Sequence, residues 1–355
     1  MRRQVATATL GVLLIALLAA CGGKQADTAQ KAAGGSALRV GLVFDIGGRG
    51  DKSFNDAAFA GLERAKTELG VSTNYVEPGE SMDREASLRQ LAKSGDDVVF
   101  GIGFMFTDDI TSIAREFPRQ KFACIDYSIQ PGKALPANLA ALTFKEHEGS
   151  FLVGALAALV SKSHIVGFIG GMDSPLIQKF ETGFRAGVRT ADPKCTVLVN
   201  YAGVTGDAFK NPTKGKELAL AQFAKGADVI YHASGSTGLG VFEAAKEKNF
   251  LAIGVDSDQY GEMPGHILTS MVKGVSTAVF TVAQQAKAGA FVGGHHELGL
   301  KERGVDYVYD DANRALISDP VHAKVETYRA MIIGGSLKVP ATRADLEAFH
   351  PPAAW

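Results

Sequence analysis

The chain reads as an α/β protein of two similar lobes, each built on a parallel sheet. Three observations carry that reading. Short β-branched runs alternate with longer helical patterns, the signature of βαβ units. The alternation restarts after about Phe144. The two stretches also open alike. Val40-Gly41-Leu42-Val43 leads through glycines to Lys52-Ser53-Phe54, then Phe59-Ala60-Gly61-Leu62. Ile165-Val166-Gly167-Phe168-Ile169 leads through Gly170-Gly171 to Lys179-Phe180, then Phe184-Arg185-Ala186-Gly187-Val188. An internal echo of this kind implies two related units.

In the first stretch, residues 38–44 predict a strand. Residues 53–69 predict a helix, because Ala58, Phe59, Leu62, Ala65 and Leu69 share a face. Ser53 with Asp56 makes a capping-box-like start. Strands at 73–76, 97–101 and 121–126 then alternate with helices at 82–93 and 107–117. In the second stretch, helices are expected at 149–161, 175–190, 215–225 and 238–248. The strands between them fall at 164–170, 196–201, 229–232 and 251–255.

Ahead of this body lies an export signal. Arg2 and Arg3 precede an apolar run over 10–20, too short to span a bilayer as a permanent helix. The run ends in Leu18-Ala19-Ala20-Cys21, which resembles the bacterial lipobox. Cys21 is the expected site of lipid attachment, by palmitate or a similar acyl chain. Residues 22–36 are rich in Gly, Ala, Gln and Lys and read as a flexible tether. The folded body then faces the periplasm or the cell exterior.

Hydrophobic content is 46% and charged content 21%, ordinary for a globular chain, and the remaining length suits two domains. A formal net charge of −1 gives no electrostatic case for nucleic acid. The apolar stretch 151–160 is short and reads as a buried helix. Cys124 and Cys195 fall in different lobes and read as small buried residues rather than a disulfide.

The segment Asp45-Ile46-Gly47-Gly48-Arg49-Gly50-Asp51-Lys52-Ser53-Phe54-Asn55 joins a strand end to a helix start through glycines. Such turns often cradle phosphate. Here GxxxxGK[ST] and a complete GxGxxG are both missing, and two carboxylates would repel an anion. They suit a neutral ligand that donates hydrogen bonds. Turn and capping chemistry suits Asp51 better than Asp45. Phe54 and Phe180 hold matched positions near the first helix of each stretch, at the sheet edge where open α/β sheets bind ligands. A planar ring between them would bury much apolar area.

Other strand ends carry polar groups: Asp126, the segment His232-Ala233-Ser234-Gly235-Ser236-Thr237-Gly238, and Asp256. One carboxylate can accept two hydrogen bonds from a vicinal diol. The glycines at 235 and 238 would let backbone N–H groups approach a ligand. Lys273 follows an apolar run; alone it would read as a solvated helix residue. HExxH, GxSxG and CxxC are all missing. His147, His295 and His296 read as loop or helix-start residues, with no metal expected.

Taken together, several motifs resemble the basic membrane protein family of ABC-transporter substrate-binding lipoproteins, which includes purine nucleoside receptors. They are Asp51-Lys52-Ser53-Phe54-Asn55, Val166-Gly167-Phe168-Ile169-Gly170-Gly171-Met172, Lys179-Phe180-Glu181 and Gly254-Val255-Asp256-Ser257-Asp258-Gln259. Lys214-Gly215-Lys216-Glu217 and Leu268-Thr269-Ser270-Met271-Val272-Lys273 add to them. The resemblance implies a periplasmic-binding-protein fold of the first type, with two Rossmann-like lobes and a three-segment hinge. Residues 37–144 and about 260–292 would form one lobe, and 145–259 and about 293–350 the other.

By the same resemblance, Phe54 and Phe180 would stack a purine base. Asp45 and Asp126 would meet its polar edge, with Asn55 nearby. Asp256 and Lys273 would hold the ribose, and Gly235 and Ser236 would line the site. The expected partners are a purine nucleoside and the permease subunits of an importer, with the chain acting as a monomer and using no cofactor or metal. A sugar or other polar metabolite on the same fold, or a sensor role, are the competing readings. A nucleoside hydrolase ranks below them, since the Asp positions are spread over both lobes.

Overall fold

A computed structural model describes residues 37–77 and 83–351. Cys21, the export signal and the tether lie outside the described residues.

The first sheet is assembled from β1 (Arg39–Val43), β2 (Ser72–Val76), β3 (Val98–Ile102), β4 (Lys121–Ile125) and β5 (Leu139–Phe144). Helices α1 (Phe54–Leu69), α2 (Arg84–Lys93) and α3 (Thr107–Glu116) connect them. The chain then passes into α4 (Glu146–Val160), β6 (Ile165–Met172), α5 (Pro175–Ala191), β7 (Thr196–Gly203), α6 (Pro212–Ala224), β8 (Val229–Ala233), α7 (Thr237–Lys248) and β9 (Leu251–Asp256). It finishes with β10 (Ile267–Lys273), α8 (Val275–Lys287), β11 (Gly294–Leu298), β12 (Val305–Tyr307), α9 (Asp319–Ile333) and α10 (Arg343–Ala348).

Strand order is β11-β5-β4-β3-β1-β2 in the first sheet and β12-β10-β9-β8-β6-β7 in the second. All the pairings are parallel except β10 with β12. The central strands β3 and β8 are buried along their whole length, as strands covered by helices on both faces must be. The fold is therefore the expected pair of α/β lobes, and the stretch 151–160 falls within α4, buried as far as Ala158 and half-buried at Leu159 and Val160. Among the described residues no helix is long and apolar enough to cross a membrane. Cys124 ends up in the first lobe and Cys195 in the second, both as free thiols.

The expected lobe boundaries near 260 and 293 need correction. Strand β10 belongs to the second sheet, paired with β9 through Ser270↔Gly254 and Met271↔Val255. Strand β11 belongs to the first, paired with β5 through His295↔Ala141 and His296↔Leu142. The chain thus crosses between lobes near 145, 274 and 299–304. The cause is local. β10 is a buried apolar strand that completes the second sheet, whereas β11 is polar and sits at an edge, where charged side chains are tolerated. His295 and His296 are accordingly strand residues, not loop or helix-start ones. The crossings brace each other, with Lys145 N–H donating to Leu298 O at 3.0 Å and Gly274 N–H to Gly304 O at 2.8 Å.

Helices α4 and α5 pack backbone against backbone. A Cβ on Gly187 would lie 2.0 Å from Phe151 O, and one on Gly183 would lie 2.2 Å from His147 O. Helix propensity alone makes Gly187→Ala stabilising by about 1 kcal/mol. The clash predicts the opposite, a loss of about 2–3 kcal/mol and a melting temperature lower by roughly 5–10 °C. Thermal melts followed by circular dichroism check the sign; an unchanged or raised midpoint contradicts the packing.

Candidate functional site

Parallel strands deliver their carboxyl ends to one edge, and here the edges of both sheets face a shared cleft. β1 delivers Asp45, β4 delivers Asp126, β8 leads to Ser234 and Gly235, β9 ends in Asp256 and β10 ends in Lys273. α1 brings Phe54 and Asn55 in its first turn, and α5 brings Ile177 and Phe180. All of these line one cavity.

At its centre lies Lys273, buried at 3% exposure. Its Nζ is 2.6 Å from Asp126 Oδ2 and 3.0 Å from Glu146 Oε1. Lys179 Nζ lies 3.3 Å from Glu146 Oε2 and also donates to Phe144 O at 3.1 Å. Two ammonium groups and two carboxylates therefore alternate through the interior. Burial presses the Lys273 pKa down, but Asp126, Glu146 and Asp256 outweigh it and hold the group well above its ordinary range. Burial likewise pushes Glu146 up, and Lys273 and Lys179 bring it below its ordinary value. For Asp126 burial prevails over the pull of Lys273 and the pKa rises. Its Oδ1 is buried with no hydrogen-bond partner among the described residues, which leaves it free to accept from a ligand.

Three aromatic rings surround this ammonium. Their centroids lie 5.0 Å (Phe144), 5.3 Å (Phe54) and 5.5 Å (Phe180) from Lys273 Nζ, within cation–π range. The matched pair Phe54 and Phe180, drawn from different lobes, thus meets across the cleft.

Asp51 performs the capping expected of it. Its carboxylate accepts from the N–H groups of Ser53 (2.9 Å), Asn55 (2.8 Å) and Asp56 (3.1 Å). Ser53 was expected to cap this helix and does not. Its hydroxyl instead donates to Asp256 Oδ2 in the other lobe. Asn55 Oδ1 accepts from Asp45 N–H at 3.0 Å while its amide donates to Asp51 at 3.0 Å, so it fixes the loop from which Asp45 projects. Burial raises Asp45 to about 7 against the pull of Ile46 N–H and Arg84, and raises Asp256 to about 6 against Lys273 and Ser53. Asp126 and Asp256 both hold positive φ, +62° and +65°. Such backbone is uncommon outside glycine and gathers at functional sites.

Further ties cross the cleft beside Ser53. Gln259 Nε2 donates to Lys52 O at 2.9 Å and Ser257 Oγ to Ser53 O at 3.4 Å. Gln259 Oε1 lies 3.2 Å from His232 Nε2, and burial lowers that histidine to about 4, so it is neutral at pH 7. Burial also lowers His147 to about 4. Among the described residues no group of His, Cys, Asp and Glu is placed to hold a metal.

Two expectations fail on geometry. Ser236 does not line the cavity; its hydroxyl is spent on Phe209 O at 3.0 Å. Gly238 is small because the His232 ring occupies the space of its missing side chain, with ring atoms 2.0 Å from where a Cβ would stand. Gly235 does line the cavity, at φ +56°. Sequence reading also missed members of the site. Glu146 stood beside His147 and was passed over for it. Lys179 stood in the echo of the two openings. Leu176, Phe104 and Phe209 carried no signal that separates a cavity wall from core.

Two parallel-sheet lobes, three crossings and a polar cleft between strand ends make the architecture of a two-lobed ligand-binding protein. The fold matches a solute-binding protein of an ABC transporter system from Aeropyrum pernix with a TM-score of 0.78, 28% identity, and coverage of 88% of this chain and 96% of that one. The chain belongs to the Bmp family, the PnrA-like substrate-binding proteins of ABC transporters, whose profile matches residues 38–342. It is therefore a substrate-binding protein rather than a member of an enzyme family. It is 36% identical to an uncharacterized lipoprotein of Pyrococcus horikoshii, over 86% of this chain and 77% of the relative. It is 31% identical to a protein of Lactococcus lactis named as the ABC transporter nucleoside-binding protein BmpA, over 96% of this chain and 99% of the relative.

Asp45 and Asp256 hold protons more tightly in the folded state than in the unfolded chain. Through these two groups the folded state holds extra protons between about pH 4 and pH 7, and the stability they contribute is lost as pH rises through that window, while the buried neutral His147 and His232 act with the opposite sign below about pH 6.5. Asp45→Asn keeps the acceptor for Ile46 N–H and removes one titration. Urea unfolding should show the variant gaining on the parent by roughly 2 kcal/mol or more between pH 5 and pH 8. A gain that is equal at the two pH values contradicts the assignment.

Proposed function

We propose that this chain captures a purine nucleoside outside the cytoplasm and delivers it to the permease of an ABC importer, held to the membrane by a lipid on Cys21. The observation that carries the reading is one juxtaposition. Phe54 and Phe180 face one cavity from opposite lobes, and Asp256 and Lys273 line the same cavity. Aromatic faces suit a planar base, and a carboxylate with a free oxygen suits a vicinal diol. Asp45, on a loop that Asn55 holds, offers a carboxyl acceptor to the N–H groups of a base edge, with Asn55 nearby. Asp126 is better paired with Lys273 than aimed at the base alone, so its role shifts toward holding the lysine that meets the sugar.

The relative named as nucleoside-binding supports this reading, and the relatives named lipoproteins support the anchor. Among the described residues the cleft has no indole platform for a pyranose, and the only Trp of the chain, Trp355, lies outside them. Capture needs no bond to break: the bound nucleoside leaves unchanged, and the protein works as a monomer with the permease as partner.

Calorimetric titration with inosine, guanosine, adenosine, ribose and free bases tests the assignment. Purine nucleosides should bind, and bases and pentose alone should bind far more weakly. Phe180→Ala should weaken binding by roughly 10- to 100-fold, the usual worth of one stacked ring. Asp256→Ala should cost a similar factor through a lost charge-assisted bond. Tighter binding of ribose or another sugar, or folded variants that bind like the parent, would overturn the reading. Release of free base from inosine would revive a hydrolase.

A further inference from the structure

The last helix among the described residues, α10, sits against the helix that carries Phe180. We propose that Arg343, outside the cleft, is a positioning residue for ligand binding: it clamps α5 and thereby sets the place of Phe180. The inference rests on the reading of Phe180 as a stacking residue.

Glu181 follows Phe180 directly and is buried at 2% exposure. A carboxylate at that depth needs full compensation. Arg343 supplies much of it, placing Nη2 at 2.7 Å and Nε at 3.0 Å from Glu181 Oε2. Tyr201 OH donates to the same oxygen at 2.7 Å, and Arg185 Nη1 reaches Oε1 at 2.8 Å. The same Arg343 Nη2 lies 3.2 Å from Asp173 Oδ1, ahead of α5, and 3.2 Å from Tyr201 OH on β7. One guanidinium thus joins the approach to α5, its second turn and the neighbouring strand.

The surrounding segment repeats the contact along the helix. Thr182 Oγ1 donates to Pro340 O at 3.2 Å. Arg189 Nη1 donates to Leu346 O at 3.1 Å and Phe349 O at 3.3 Å. A capping box between Thr342 and Asp345 fixes the start of α10 just where Arg343 leaves it. On another side, α5 lies against α4 through Gly183 and Gly187, too close for a side chain. The helix is therefore held by the C-terminal strap and by α4, and its cavity-facing residues Ile177 and Phe180 have little freedom to shift. The family match ends at residue 342, one position short of this arginine.

The test is a double-mutant cycle between Arg343→Ala and Phe180→Ala in the full chain, read by calorimetry with inosine and guanosine. Arg343→Ala should weaken binding about 3- to 10-fold, and the double variant should bind no more weakly than Phe180→Ala alone. Arg343→Lys should fail to restore affinity, since a single ammonium lacks the paired donors. Amide hydrogen exchange should speed up over residues 175–183 in Arg343→Ala. Should that variant not fold, Glu181→Gln is the milder substitution, with the same expected coupling. Parent-like affinity in the folded variant, or losses that multiply with those of Phe180→Ala, overturn the proposal. If the parent chain binds no purine nucleoside, the functional reading fails separately. Exchange over 175–183 then still decides whether Arg343 positions the helix.

Discussion

A buried ammonium group demands compensation, since stripping water from it costs several kcal/mol even after the protein relaxes. Lys273 is such a group, and its partners come from three places in the chain. Asp126 ends a strand of the first lobe, Glu146 opens the first helix after the crossing at 145, and Asp256 ends a strand of the second lobe. The lysine itself is the last residue before the crossing at 274. Satisfying it therefore requires that both sheets point their carboxyl ends at one spot and that the hinge hold them there. Removing the amine would leave Asp126 buried without its paired cation and Glu146 with Lys179 alone, a far larger penalty than the loss of one surface pair.

The same constraint shapes what the cleft can accept. Its carboxylates exceed the cations beside them, and burial raises the pKa of all four that line it, Asp45, Asp51, Asp126 and Asp256, so further negative charge is unwelcome. Its apolar walls are flat rings. The ties from Ser53 and Lys52 to Asp256 and Gln259 link lobe to lobe beside the cavity, a geometry suited to closing over a ligand and opening again about the hinge.

Much of this was legible in the sequence because parallel α/β architecture writes itself in buried apolar strands and helical periods. The echo of the two openings placed Phe54 and Phe180 in matched positions, and the structure brings them to one cavity. What was illegible depended on long-range pairing. The polar run His295-His296-Glu297 carries no strand signal, yet it extends the first sheet as an edge. Lys273 has the local look of a solvated lysine, and only Asp126 and Glu146, more than a hundred residues away, make it an interior group. Ser53 had the spacing of a cap and found Asp256 instead, while Asp51 took the capping task. Ser236 had the company of a ligand loop but spends its hydroxyl on Phe209 O.

The most direct measurement is the identity of the small molecule that travels with the protein. Native mass spectrometry of the purified chain, followed by denaturation and mass analysis of what is released, reads it without a prior choice of ligand. The account predicts a purine nucleoside, bound one per chain and lost when Lys273 is replaced by Met. A sugar, an amino acid or a phosphorylated nucleotide held in that stoichiometry would contradict it.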